Sequence, residues 1–156
     1  MKVQAGEIII RDANQTDIDT LLHFEQEVIT AERPFDPTLK AETTYYDLHS
    51  MMNDSNVKLV VAEVNEQVIG SGYARIEKSK HFSQHSHHAY LGFMYVVPAF
   101  RGKGINGKII ESLKSWAQKQ GVTEMRLEVY HGNTAAIKAY EKIGFSMLTV
   151  EMRCGI

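Results

Sequence analysis

The segment Arg101-Gly102-Lys103-Gly104-Ile105-Asn106-Gly107-Lys108 constrains the fold of this chain more than any other. It follows Ala89–Val97, a run rich in aromatic and β-branched residues that reads as a buried strand. It opens Ile105–Gln120, where Ile105, Ile109, Ile110, Leu113, Trp116 and Ala117 form one helical stripe that Gly121 ends. A further strand pattern, Glu124–Tyr130, follows. Strand, glycine turn, helix, strand is a βαβ unit, which implies two locally parallel strands joined by a right-handed crossover. The first N–H groups of a helix have no intrahelical partner, and the helix dipole adds positive potential there. Glycines let the backbone approach an anion closely. Arg101, Lys103 and Lys108 add charge. On physical grounds alone this is a phosphate-binding design, against the simpler reading of a plain strand-to-helix turn.

The other elements follow from period and punctuation. Glu7–Ala13 alternates around Ile8 and Ile10 and predicts a strand. Thr16 is placed to cap a helix running to about Ile29, and Pro34 and Pro37 break the chain beyond it. A second helix is expected over about Thr38–Met52, followed by the turn cluster Asn53–Asn56. Val57–Val64 and Gln67–Glu77 read as strands joined at Asn65-Glu66. Lys78–His88 reads as a polar loop. Asn133 caps a helix that Gly144 ends near Ile143, and Phe145–Met152 reads as a last strand. The order is β-α-α-β-β-β-α-β-α-β, a mixed α/β sheet with helices on both faces.

Composition narrows the classes of function. The 156 residues fit one compact domain, residues 1–156, without a disulfide or metal staple. The formal net charge of -2 argues against nucleic acid as the main partner, because phosphate contacts need a basic face. Cys154 is the only cysteine, so no internal disulfide forms and a reducing, cytoplasmic compartment is expected. The first six residues lack the apolar core of a signal peptide, and no apolar run approaches the roughly 20 residues that span a bilayer.

The glycine loop fits three patterns by letter. Gly102, Gly104 and Gly107 spell the dinucleotide fingerprint, but it lies late in the chain and Glu128 sits inside the next strand rather than at its end. Gly102, Gly107 and Lys108 spell a P-loop, but Ile109 stands where the magnesium-binding hydroxyl belongs. The third pattern has support on both sides of the loop. Val96-Val97-Pro98-Ala99-Phe100-Arg101-Gly102-Lys103-Gly104-Ile105 resembles the acyl-CoA signature of the GNAT N-acetyltransferase superfamily, V-x-P-x-x-[RQ]-x-x-G-x-[GA]. Asn133, Ala136, Tyr140 and Gly144-Phe145 match the family's second spacing, N-x-x-A-x-x-x-Y-x-x-x-G-F. The order of elements matches as well. Asn106 departs from the pattern, where the family usually has Gly or Ala.

The resemblance implies a GNAT-like, mostly antiparallel sheet with splayed fourth and fifth strands. It implies transfer of an acetyl group from acetyl-CoA to a primary amine by direct attack. Met94, Tyr95 and Val96 would pair with the pantetheine arm, and a bulge near Tyr95–Val96 would offer N–H donors to the oxyanion. Arg101 to Gly107, that is Arg101, Gly102, Lys103, Gly104, Ile105, Asn106 and Gly107, would hold the pyrophosphate. Asn133 and Ala136 would contact the pantetheine, and Lys138 and Lys142 are either solvated or partners of the nucleotide phosphates. Tyr140 occupies the family's position for the acid that protonates the leaving thiolate. Tyr90, Gly92 and Phe93 stand where many relatives carry a basic carboxylate, which leaves Glu128, a water chain, or no dedicated base.

The acceptor is expected to be a small-molecule amine or a peptide or protein amine, with neither nucleic acid nor a membrane as partner. Glu32 and Asp36 are suited to attract a cationic amine, and Phe35, Tyr45 and Tyr46 to pack on it. A capped loop over the core is the plainer reading of the same residues. His81, His85, His87 and His88 crowd one loop and read as solvated rather than as a zinc or nickel site. No metal is expected. A homodimer is possible, with Phe145–Met152 at its edge. A non-catalytic acyl-CoA sensor and a regulatory protein acylase are the competing functions.

Overall fold

The computed structural model describes residues 6–156. One five-stranded sheet runs in the order β1-β2-β3-β4-β5. Its strands are β1 Ile9–Asp12, β2 Val57–Val64, β3 Gln67–Lys78, β4 His87–Val96 and β5 Met125–Leu127. The helices are α1 Ile18–Glu32, α2 Leu48–Met52, α3 Ile105–Lys119 and α4 Thr134–Ile143. β1 to β4 pair antiparallel and β4 pairs parallel to β5. The mixed sheet and its crossover are therefore those expected.

Strand alternation divides the core in two. Val60, Ala62 and Val64 meet Ile105, Ile109, Ile110 and Leu113 of α3 on one face. Leu59, Val61, Tyr73 and Phe93 meet Leu21 and Phe24 of α1 and Leu48 and Met51 of α2 on the other. The side-chain period of two thus sends each neighbour along β2 to opposite helical layers. At the β2–β3 hairpin Asn65 and Glu66 both adopt positive φ, 48° and 65°, the handedness that matches a two-residue turn to strand twist.

Five expectations are corrected. The first strand is shorter than Glu7–Ala13, and Asn14 rather than Thr16 caps the entry to α1: its side chain accepts from the Thr16 N–H at 3.0 Å. Asp17 answers by accepting from the Asn14 N–H at 2.8 Å, which makes Gln15–Asp17 a short 3-10 turn. The second helix is only Leu48–Met52, because side chains take its would-be backbone partners. Glu25 accepts the N–H groups of Tyr45 and Tyr46 at 2.9 and 2.8 Å, and Arg33 donates to the carbonyls of Lys40 and Ala41. The fifth strand keeps only Met125–Leu127 of the expected Glu124–Tyr130. Phe145–Met152 forms no strand at all, and Met147, Leu148, Val150 and Met152 are 71–89% exposed. An extended segment needs a paired edge to become a strand, and no strand pairs with the outer edge of β5 among the described residues.

Candidate active site

The site begins with a slip in register. Ser71 faces Tyr95 and Tyr73 faces Gly92, so Gly72 alone faces Phe93 and Met94. This is a β-bulge, placed two residues earlier than the Tyr95–Val96 expected. Phe93 carries it at φ 53°, a conformation costly for an aromatic residue. The buried Ser71 hydroxyl donates to the Phe93 carbonyl at 2.9 Å and holds the bulge in place. Two glycines make room for it. A Cβ on Gly72 would stand 2.7 Å from Ile109 Cγ2 and 2.9 Å from Met94 Sδ, and one on Gly92 would stand 2.7 Å from the Tyr73 ring. Paired glycines inside strand patterns are the signal in the sequence that marks this bulge.

Beyond the bulge the sheet opens. Pairing of β4 with β5 stops at Leu91–Leu127, and β5 itself ends there. Val97 donates its N–H to Ile69 on β3 at 2.8 Å, so by alternation the N–H and carbonyl of Val96 face the open side. Arg101 Nε donates to that Val96 carbonyl at 2.8 Å, with its guanidinium 5.6 Å from the Tyr95 ring. The unpaired side of β4 therefore leads from the bulge toward the glycine loop.

Gly102 and Gly104 both adopt φ 77°, and Gly104 is the N-cap of α3. The helical ladder starts with Lys108 N–H donating to the Gly104 carbonyl at 3.2 Å, which leaves the preceding amides without helical partners. Apart from chain neighbours and the helix's own backbone, no described atom lies within 4 Å of a Cβ built on Gly102, Gly104 or Gly107. Free amides, left-handed glycines and clear space above them fit an anionic diphosphate. Lys103 Nζ lies 5.4 Å from the Phe100 ring. Asn106, the position that departs from the family pattern, has a buried side-chain oxygen without a hydrogen-bond partner.

On α4, Asn133 accepts from the Ala136 N–H at 3.2 Å and so acts as the helix cap. Gly144 ends the helix at φ 115°, and Phe145 donates its N–H to the Tyr140 carbonyl. The Phe145 ring meets Tyr140 edge-on at 5.8 Å. Burial raises the Tyr140 phenol above its usual pKa, and the charge of Glu32 adds to the shift, so the hydroxyl keeps its proton at neutral pH. Lys138 and Lys142 are exposed. Glu128 is exposed as well, and its charge is felt by Tyr90 and Tyr73, whose phenols are raised chiefly by burial.

The other wall comes from α1 and the loop after it. Glu32 accepts from the Tyr45 hydroxyl at 2.8 Å. Phe35 stacks on Tyr130 at 6.1 Å, and Gly132 leaves the space for Phe35. Tyr46 stacks on Phe93 of the bulge at 4.5 Å and meets Tyr45 edge-on at 5.8 Å. Asp36 accepts from Thr38 and pairs with Arg153 at 2.9 Å, which holds its carboxyl down at about 2. A cavity of about 220 Å³ opens against Tyr45, Tyr46, Met51, Tyr73 and Arg75. His131 is exposed.

The histidine loop is solvated over His81 and His87, as expected, but tied down at His85 and His88. The Ser79 hydroxyl lies 2.9 Å from His88 Nδ1 and 3.3 Å from His85 Nδ1, and His85 Nε2 lies 3.1 Å from Glu124. His88 is buried, whereas His87 is exposed beside Ser86 and His81 is exposed beside Phe82.

The model of the acetyltransferase (GNAT) family matches residues 25–145. Mycothiol acetyltransferase of Renibacterium salmoninarum is 31% identical over 114 residues, 69% of this chain and 32% of that protein. The N-alpha-acetyltransferase of Sulfurisphaera tokodaii is 26% identical over 146 residues, 90% of this chain and 81% of that protein. The match thus spans about a third of the length of the first of these relatives and most of the second. The crystal structure of a predicted acetyltransferase with acetyl-CoA from Clostridium acetobutylicum superimposes with a TM-score of 0.71 at 17% identity, covering 96% of each chain, which speaks for the fold. Family match and fold agree with the bulged fourth strand and the glycine loop: this chain belongs to the acetyltransferase (GNAT) family.

Proposed function

We propose that the chain is one N-acetyltransferase domain that moves an acetyl group from acetyl-CoA to a primary amine by direct attack. The observation that carries this reading is the bulge at Phe93 on a strand whose pairing with β5 ends at Leu91–Leu127 and which leads into the open amides of Gly102–Gly107. Acetyl-CoA supplies the acyl thioester. The outward backbone of Met94 and Val96, with Tyr95 between them, lines the pantetheine path, and Arg101 closes it at the Val96 carbonyl. The amides of Gly102, Lys103, Gly104, Ile105, Asn106 and Gly107 hold the diphosphate, with Lys142 of α4 beside the nucleotide. Asn133 and Ala136 present the start of α4 to the pantetheine. The Met94 N–H at the bulge stabilises the oxyanion. Glu128, exposed across the open side, takes the proton that the acceptor ammonium must lose before attack. Tyr140 Oη gives its proton to the departing sulfur, which its raised pKa equips it to hold until then.

A thiol-release assay with acetyl-CoA and a panel of amines tests the reading. Tyr140→Phe is expected to lower kcat by ~10²-fold, the lower end of general-acid contributions, while leaving acetyl-CoA affinity intact. Acetyl-CoA binding without turnover of any amine would favour a sensor instead. The exposed segment Met147–Met152 and the open edge of β5 are complementary, and we assign them to self-association of two copies. Sedimentation that gives a monomer at all concentrations would rule that out.

A further inference from the structure

Four carboxylates, on α1, on the loop after it and just beyond β5, are not equivalent. Glu25 is fully buried and spent on two backbone N–H groups. Asp36 is neutralised by Arg153. Glu128 is exposed. Glu32 is half-buried, accepts only from the Tyr45 hydroxyl, and pairs with no cation among the described residues. Rings surround it. Tyr45 touches it, Tyr46 links Tyr45 to the bulge at Phe93, and the negative charge of Glu32 is felt at Tyr46, Tyr130 and Tyr140.

A lone carboxylate under partial burial is disfavoured until a cation joins it, and burial indeed holds Glu32 above the usual carboxylate range. An ammonium supplies what is missing in two ways. It donates to the carboxylate, and it lies against the electron-rich faces of the phenol rings. An anionic group at the same place would meet Glu32 with like charge and no compensating donor but Tyr45.

From this we infer that Glu32 and Tyr45, walled by Tyr46 and Tyr130, form the cation subsite of the acceptor pocket, and that the acceptor is an amine carrying a second ammonium group. The far ammonium rests on Glu32 while the near amine reaches the Phe93–Met94 bulge past the Tyr46 ring. Glu32 is thus a specificity-determining residue that touches substrate but takes no part in proton transfer. The inference rests on the acetyl-transfer reading of the slot.

The test uses the whole protein saturated with CoA, so that no turnover intervenes, and three probes of equal chain length: putrescine, butylamine and γ-aminobutyrate. Calorimetry is expected to rank putrescine about tenfold tighter than butylamine, from one charge-assisted hydrogen bond, with γ-aminobutyrate weakest. Glu32→Gln keeps shape and hydrogen bonding and is expected to erase the putrescine preference with CoA affinity unchanged. Tyr45→Phe is expected to reduce the preference several-fold, as a second variant should the first fold poorly. Equal binding of all three probes, no binding of any, or a preference that survives Glu32→Gln overturns the cation subsite. Failure of CoA itself to bind would be a separate result, and would fall on the acetyl-transfer reading instead.

Discussion

Glu25 is the residue on which the acceptor wall depends, and its replacement gives a quantitative test. It is fully buried, one carboxylate oxygen accepts the N–H groups of Tyr45 and Tyr46, and the other has no partner. In Glu25→Ala both N–H groups lose their acceptor, at ~1.5 kcal/mol for each hydrogen bond to a charged group, or about 3 kcal/mol together. Relief of the desolvated, cation-free carboxylate offsets part of this, so a net loss of ~2 to 3 kcal/mol is expected. For a domain of this size that lowers Tm by ~8 °C. Glu25→Gln retains an oxygen able to accept from both groups, and is expected to cost ~1 kcal/mol. Urea unfolding at constant m reads both values. Because Tyr45 and Tyr46 follow Glu25, the Ala variant is also expected to raise the acceptor KM several-fold with acetyl-CoA affinity unchanged. An Ala variant as stable as the parent, or a Gln variant as poor as Ala, would refute the claim that hydrogen bonding by this carboxylate fixes the loop.

Three further outcomes follow from the same geometry. Gly72→Ala puts a methyl 2.7 Å from Ile109 Cγ2 and 2.9 Å from Met94 Sδ, so it is expected to cost ~1 to 3 kcal/mol by overpacking and to weaken acetyl-CoA binding by moving α3 against β4. Chemical denaturation and calorimetry read the two effects. Burial and Arg126 hold His88 below its usual pKa, while Glu77 and Glu124 oppose the shift and His85 adds to it. The unfolded chain therefore binds the proton more readily, stability from this group is complete above about pH 6.5 and is lost as pH falls below it, and His88→Gln should flatten that slope in thermal melts. Asn106→Asp places a negative charge at the buried amide beside the glycine loop and is expected to weaken acetyl-CoA binding at least ~10-fold, whereas Asn106→Gly should be tolerated.

The parts of this fold legible in the sequence are those fixed by neighbours in the chain. Asn65-Glu66 marks the hairpin, Gly104 and Gly121 bracket α3, and Asn133 and Gly144 bracket α4, each through a local backbone demand. The glycine loop and Tyr140 were legible because their spacing carries a family pattern. What was not legible depends on partners distant in sequence. The bulge moves to Phe93 because Ser71, on the next strand, holds its carbonyl. The stretch from Thr38 to Asp47 has helical composition in part, but Glu25 and Arg33 of the α1 end capture its backbone groups. Phe145–Met152 has the alternation of a strand, yet pairing needs an edge, and the sequence cannot say whether one is supplied. Glu32 and Asp36 look alike as letters, and only Arg153, more than a hundred residues away, separates a neutralised carboxylate from an open one.

The most direct test of the account is a calorimetric titration of the protein with acetyl-CoA, repeated with Gly104→Val. The wild type is expected to bind one equivalent, and the variant to lose at least ~10-fold in affinity, since a β-branched residue cannot hold the φ of 77° that aims the first amides of α3 at the diphosphate. Wild-type protein that takes up no acetyl-CoA would contradict the assignment of the loop, and with it the acetyl-transfer function built upon it.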